Sequence, residues 1–187
     1  MKFRRNIEVK LEEAFSTSPA VLLTGARQTG KTTLVEEYAK DKSYYYITFD
    51  DLSTMSAAKR DPKGFIETLP KPVIIDEVQR VPLIFLPIKR DIDLHRLPGR
   101  YILTGSANPL LINKAGESLA GRLETLTLFP LSQGELLYQK DDFISRVFNN
   151  QELPLPVQTV SKEELYRKIT IGGYPVVQNL NETRRQA

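Results

Sequence analysis

The sequence predicts an α/β fold in which a parallel sheet is covered on both faces by helices. Three observations lead there. Short segments rich in apolar residues recur at residues 20–24, 44–49, 72–75, 101–104 and 123–129, each of strand length, and the run 20–24 is continuous enough for a buried strand. Segments with helical spacing separate them. Alternation of this kind produces parallel pairing through right-handed crossovers.

Taken in order, Ile7, Leu11, Ala14 and Phe15 share one helical face, so residues 5–15 form an amphipathic helix that breaks over 16–19. Residues 20–24 are a buried strand, and a glycine-bounded loop follows. Residues 32–40 are helical, with Leu34, Val35, Tyr38 and Ala39 apolar. The aromatic and β-branched run 44–49 is a second strand, ended by Asp50 and Asp51. Two short helices, 53–60 and 63–69, part at Asp61 and Pro62. A third strand, 72–75, runs into Asp76 and Glu77. Pro87 suits the first turn of a helix carrying Ile88, Ile92 and Leu94. Strands at 101–104 and 123–129 flank a helix at 109–120. Beyond them, 132–148 and 161–171 read as helices separated by a proline-containing loop at 153–156, a small helical appendage. Residues 172–175 read as a turn.

The chain of 187 residues is long enough for one well-packed domain with a small addition. With 41% hydrophobic and 26% charged residues it falls outside the disordered and fibrous classes. The net charge of +3 is mild. Basic residues are scattered apart from Lys2, Arg4, Arg5 and Arg184, Arg185, which read as solvated surface charge rather than a nucleic-acid patch. Cysteine is absent, which excludes disulfides, thiolate metal sites and a cysteine nucleophile. The one histidine, His95, is assigned to structure or solvent. No apolar segment follows the N-terminal basic residues, and the run 81–88 is short and carries two prolines. Neither a signal peptide nor a membrane span is expected, so the expected location is cytoplasmic.

Gly25, Ala26, Arg27, Gln28, Thr29, Gly30, Lys31 and Thr32 have the pattern of two glycines with four residues between them, followed by lysine and threonine. Glycine lets a backbone curl until successive N–H groups converge on phosphate oxygens. The helix that follows adds its positive end. Lys31 supplies a cation for the β- and γ-phosphates, and the Thr32 hydroxyl is a hard oxygen ligand for Mg²⁺. The preceding apolar strand and following helix are the context this loop requires.

Residues 73–77 are an apolar strand ending in two carboxylates. Asp76 is placed to orient Mg²⁺ and its waters. Glu77 is placed to polarise a water for in-line attack on a γ-phosphate, a group that a phosphate-transferring kinase does not need. The fourth strand ends in Thr104, Gly105, Ser106, Ala107 and Asn108. Ligands of open α/β sheets bind beyond the carboxyl ends of strands, so Thr104, Ser106 or Asn108 can meet the γ-phosphate or the water. Ser106 is preferred and Asn108 comes next. Asn108 also suits a helix N-cap before Pro109.

In combination and in this order, these elements resemble the AAA+ branch of P-loop ATPases. The wording of 24–33, 76–82, 103–107, 119–122 with 129–132, and 172–175 is similar to one bacterial and archaeal subfamily. The resemblance implies a three-layer αβα core with a five-stranded parallel sheet in the order 5-1-4-3-2. It implies nucleotide contacts along Gly25 to Thr33, with Thr32 and Asp76 at the metal. It also implies a neighbouring subunit's arginine at the γ-phosphate, for which Arg122 is the first candidate and Arg80 the next; Arg27 is a candidate in cis. Members of the subfamily usually continue into a poorly characterised, nuclease-like second domain. Residues 1–138 are accordingly expected to form the ATPase core, and 139–187 a partial helical lid or linker toward a missing C-terminal domain.

The expected function is Mg²⁺-dependent hydrolysis of ATP to ADP and phosphate, coupled to conformational change, with Lys31, Glu77, Ser106 and Arg122 in the reaction. Two alternatives stand beside it: a nucleotide-gated binding module with negligible hydrolysis, and a P-loop kinase. A GTPase is disfavoured, because Asn113-Lys114-Ala115-Gly116 has glycine where the guanine-reading pattern needs aspartate. ATP and Mg²⁺ are the expected ligands. A homo-oligomer, and a nucleic-acid or protein partner engaged through the missing domain, are the expected associations.

Overall fold

The computed structural model describes residues 3–139, 141–152, 160–178 and 180. By internal contacts the chain divides into two units, Val9–Phe129 and Met1–Glu8 with Pro130–Ala187.

The first unit holds the whole sheet. Strand β1 (Ala20–Thr24) is buried at every residue, as its unbroken apolar run requires. Strands β3 (Val73–Asp76) and β4 (Tyr101–Thr104) are likewise buried throughout. Strands β2 (Tyr45–Thr48) and β5 (Leu123–Thr127) keep partial exposure. The order β2-β3-β4-β1-β5 accounts for this, since β2 and β5 are the edges. All four pairings are parallel. Read from the other edge, this is the order 5-1-4-3-2 expected from the resemblance, in a three-layer α/β fold.

Side chains alternate across the sheet with period two. Ala20, Leu22, Val73, Ile75, Tyr101 and Leu103 join a buried cluster on one face, with Ile84, Phe85, Ile88, Ile92, Ala115 and Leu119. Val21, Leu23, Ile74 and Ile102 have the opposite parity and are equally buried. Helix α1 (Ile7–Thr17) buries Leu11, Ala14 and Phe15, the face its spacing predicted. Helix α2 (Lys31–Lys42) buries Leu34, Val35 and Ala39 and packs on β2 and β3. Phe15 stacks obliquely on Tyr38 and Tyr44, at ring separations of 5.0 and 6.0 Å.

Helices α3 (Leu52–Arg60) and α4 (Pro62–Thr68) meet at Asp61. Asp51 caps α3, and Asp61 caps α4 by accepting the Gly64 N–H. After β3 come two 3-10 turns, Val78–Arg80 and Pro82–Ile84, and then α5 (Phe85–His95). Helix α5 buries Phe85, Ile88, Asp91 and Ile92, whereas Leu94 is exposed. Asp91 is a buried acid with a built environment. It accepts Arg100 Nε at 2.5 Å, Arg100 Nη2 at 3.0 Å and the Tyr101 hydroxyl at 2.6 Å. Burial pushes its carboxyl pKa up, but these bonds and the Arg100 charge outweigh that and hold it below the usual range. His95 Nδ1 lies 3.0 Å from the Asp91 carbonyl oxygen, a structural placement. Helix α6 (Pro109–Ser118) leads to β5.

In the second unit the expected helix over 132–148 is two, α7 (Gln133–Leu137) and α8 (Phe143–Phe148). Tyr138 turns into the left-handed region at φ 54 and ends α7, and Gln139 N–H returns to Gly134 O at 2.8 Å. Asp141 then folds against Gly134, where an added Cβ would lie 2.1 Å from its carboxylate. Arg5 corrects the expectation of solvated charge. It is 7% exposed and pairs with Glu135 at 3.2 Å. Helix α9 (Lys162–Ile171) ends at Gly172, φ 66, and a short α10 (Pro175–Gln178) follows the turn. The loop at 153–156, Lys2, Arg184 and Arg185 lie outside the described residues. Among the described residues, no helix is long and apolar enough to cross a membrane.

Candidate functional site

The phosphate loop, the acidic pair and the polar turn after β4 lie at the carboxyl end of the sheet. Gly25 leaves β1 beneath the Leu128 carbonyl, where an added Cβ would sit 2.4 Å from that oxygen. Only glycine fits there without displacing backbone. Gln28 at φ 64 and Gly30 at φ 95 are both left-handed and curl the loop back toward the start of α2. Thr29 is fully buried and ties the loop internally, donating from Oγ1 to the Ala26 carbonyl at 2.9 Å. Ala26, Arg27, Gln28 and Thr33 are exposed. Gly30 gives α2 no side-chain cap, so the first-turn N–H groups are left to serve an anion.

Lys31 is 6% exposed, and its ammonium donates to the carbonyls of Gly25 at 3.0 Å and Ala26 at 2.8 Å. Burial lowers its pKa, and Glu77 and Asp76 offset part of that effect.

Asp76, 1% exposed, gathers three hydroxyls. Its Oδ2 accepts from Thr32 Oγ1 at 3.0 Å and from the Tyr46 phenol at 3.2 Å, and its Oδ1 accepts from Thr104 Oγ1. Desolvation first, then the Asp76 charge, pushes the Tyr46 phenol well above its ordinary pKa, so it stays a donor. Glu77 is left-handed at φ 60, ψ 42, a conformation costing a non-glycine residue about 1 kcal/mol or more. Its N–H donates to Thr104 Oγ1 at 3.2 Å, and its carboxylate accepts from Gln79 Nε2. Thr104 thus ties both acids to β4.

The segment after β4 runs along the loop's first residues. Gly105 N–H donates to Leu23 O at 3.2 Å, and Ala107 N–H donates to Gly25 O at 3.1 Å, with Ser106 between them. Asn108 is committed as the cap of α6, accepting the Leu110 N–H at 3.0 Å. Arg80 pairs with Asp50 at 2.5 Å on the surface. Arg122 is not brought to this end. It precedes β5 at the opposite, amino end of the strands, where it pairs with Asp93 at 2.5 Å and donates to the Ala120 carbonyl at 2.7 Å. A cleft of about 330 Å³ lined by Lys71, Asp91, Arg100 and His95 lies beside the amino ends of β3 and β4. Sequence reasoning missed Tyr46 and Gln79, the side chains that hold the two acids.

The donor set suits a phosphate tail and Mg²⁺. Among the described residues no three acidic or histidine side chains form a metal cage. One buried carboxylate beside a hydroxyl is nevertheless what Mg²⁺ uses when phosphates supply the remaining oxygens. Thr32 and Asp76 would hold it.

A phosphate loop between a buried strand and a helix, facing an acidic pair at the tip of β3, defines a P-loop nucleotide-binding domain. The family model described as an AAA domain matches residues 17–137, and the chain belongs to this AAA family. Two uncharacterised proteins, from Mycobacterium tuberculosis and Mycobacterium bovis, are each 39% identical over 130 residues, covering 69% of this chain. The chain spans 29% of the length of either relative. The solved structure of a Walker-type ATPase of Pyrococcus abyssi shares the fold. Its TM-score is 0.56 at 17% identity, covering 99% of this chain and 70% of that one. Membership of an AAA family implies nucleotide binding.

Proposed function

We propose that this domain binds ATP with Mg²⁺ and hydrolyses it to ADP and phosphate, the nucleotide state setting its conformation. The observation that carries this reading is the junction of Thr32 and Asp76 at 3.0 Å, with Glu77 and Lys31 beside it. Mg²⁺ bound there would neutralise charge on the β- and γ-phosphates. The loop N–H groups from Gly25 to Thr33 and the start of α2 grip the phosphates. Lys31 exchanges its two carbonyl partners for phosphate oxygens. Glu77 takes a proton from the water whose oxygen bonds to the γ-phosphorus as the bridging P–O bond to ADP breaks. Ser106, beside the loop, hydrogen-bonds the γ-phosphate.

Arg122 faces away from its own chain's site, so its proposed role is in trans, on a neighbour's γ-phosphate in a homo-oligomer. Residues 1–138 are proposed as the catalytic core and 139–187 as a lid or linker toward a further domain. That domain would carry the protein or nucleic-acid partner. A cytoplasmic location fits this reading.

Two variants test it. Lys31→Ala should weaken Mg-ATP binding by roughly 100-fold, because it removes a charge-assisted bond to phosphate. Glu77→Gln should still bind nucleotide but release phosphate roughly 100-fold more slowly. Wild-type affinity in the first would remove the phosphate-loop assignment. Turnover equal to wild type in the second would remove the water-activating role of Glu77, and negligible turnover in the wild type itself would leave a nucleotide-gated binding module.

A further inference from the structure

The turn behind β3 lays a carboxamide on the second acid of the pair. Glu77 leaves the strand in the left-handed region, and Arg80 N–H closes the turn onto Glu77 O at 3.1 Å. The reversal carries Gln79 back alongside Glu77, and its Nε2 donates to Glu77 Oε2. The other end of the carboxamide, Oε1, is buried without a hydrogen-bond partner. An unpaired buried oxygen is unfavourable. Turning the amide over would be worse, because it would set that oxygen against the carboxylate. The local fold therefore accepts one unsatisfied atom in order to keep an N–H on Glu77.

We propose that Gln79 is a positioning residue that holds the Glu77 carboxylate in the orientation from which it takes the water's proton. This rests on the hydrolytic reading above. A glutamate reaches its carboxylate through three rotatable bonds, and on a half-exposed turn several rotamers compete. A general base works only within hydrogen-bond reach of the proton it removes. One donor fixed on Oε2 removes that freedom and leaves Oε1 to face the water. Gln79 acts through Glu77, not on the phosphates.

The test is single-turnover phosphate release and nucleotide affinity for Gln79→Glu and Gln79→Ala, each in the wild-type and the Glu77→Gln background. Gln79→Glu is nearly isosteric and replaces the donor with an acceptor. Gln79→Ala removes both ends and guards against a folding defect in the first variant. Each should slow phosphate release by roughly tenfold or more with affinity within about twofold. Neither should cause further loss once Glu77 is Gln, because both residues serve one step. Release at or above the wild-type rate overturns the proposal. So does an equal loss in both backgrounds, which would mark a structural effect independent of Glu77. If Glu77→Gln alone runs at the wild-type rate, the role of Glu77 as the base falls and this proposal falls with it. Slow Glu77→Gln with full-rate Gln79 variants overturns this proposal alone.

Discussion

Gly25 is the residue at which backbone geometry leaves least choice. Its missing side chain is replaced by the Leu128 carbonyl, which would stand 2.4 Å from a Cβ. Gly25→Ala must therefore push β1 and the segment after β5 apart or deform the loop. Overpacking of this kind costs about 2 kcal/mol. A urea titration should show the midpoint lowered with an unchanged slope, and Mg-ATP affinity should fall as well. A midpoint equal to wild type would mean that the loop has slack the contact does not suggest. The residues that meet here were legible where the chemistry is written in consecutive positions. Lys31 and Thr32 follow Gly30, and Asp76 and Glu77 end an apolar run. Tyr46 and Gln79 were not legible. Tyr46 reaches Asp76 only because β2 pairs with β3 in a register that sets Thr48 opposite Asp76. Gln79 reaches Glu77 only because a glutamate adopts a conformation that sequence normally marks with glycine or asparagine.

Among the elements, α7 shows how a short helix is held from outside its own propensity. Five residues are too few for an isolated helix. Ser132 and Glu135 close a reciprocal cap, with Glu135 N–H on Ser132 Oγ at 3.0 Å and Ser132 N–H on Glu135 Oε2 at 2.9 Å. The other Glu135 oxygen accepts from Asn6 N–H at 2.6 Å and from Arg5 Nε at 3.2 Å. The two halves of the cap should differ in cost. Ser132→Ala removes one capping bond and should destabilise by about 1 kcal/mol. Glu135→Ala removes its half of the cap together with the Asn6 N–H bond and the Arg5 ion pair, and should cost about 3 kcal/mol. Hydrogen exchange at the α7 amides ranks the two, and equal effects would mean that the bonds to Asn6 and Arg5 add nothing to the cap. The cap pattern of serine followed three residues later by glutamate can be read in the sequence. The break after Leu137 could not be. It depends on Tyr138 turning left-handed and Asp141 folding onto Gly134, neither of which disturbs the apolar spacing over 132–148.

For the molecule as a whole, periodicity predicted strands and helices but could not order them. The order came from resemblance to a family, and the parallel registers of β1 with both β4 and β5 agree with it. The consequence is spatial economy. The crossovers place the loop after β1, the acids after β3 and the polar turn after β4 at one end of one sheet, all within Val9–Phe129. Nucleotide binding should therefore be coupled to the stability of that sheet. A ligand that binds only the folded form adds about 2.7 kcal/mol at one hundred times its dissociation constant. Thermal melts followed by circular dichroism should rise with ATP and Mg²⁺ together. Chelating the metal should lower that gain, because the partners of Thr32 and Asp76 are then lost. Asp76→Asn should bind nucleotide with little response to Mg²⁺, whereas Lys31→Ala should show little stabilisation by either ligand. A melt that rises equally with and without metal in the wild type would separate nucleotide binding from the Thr32–Asp76 junction. The acidic pair would then be a structural clasp between β3 and its neighbours rather than part of the site.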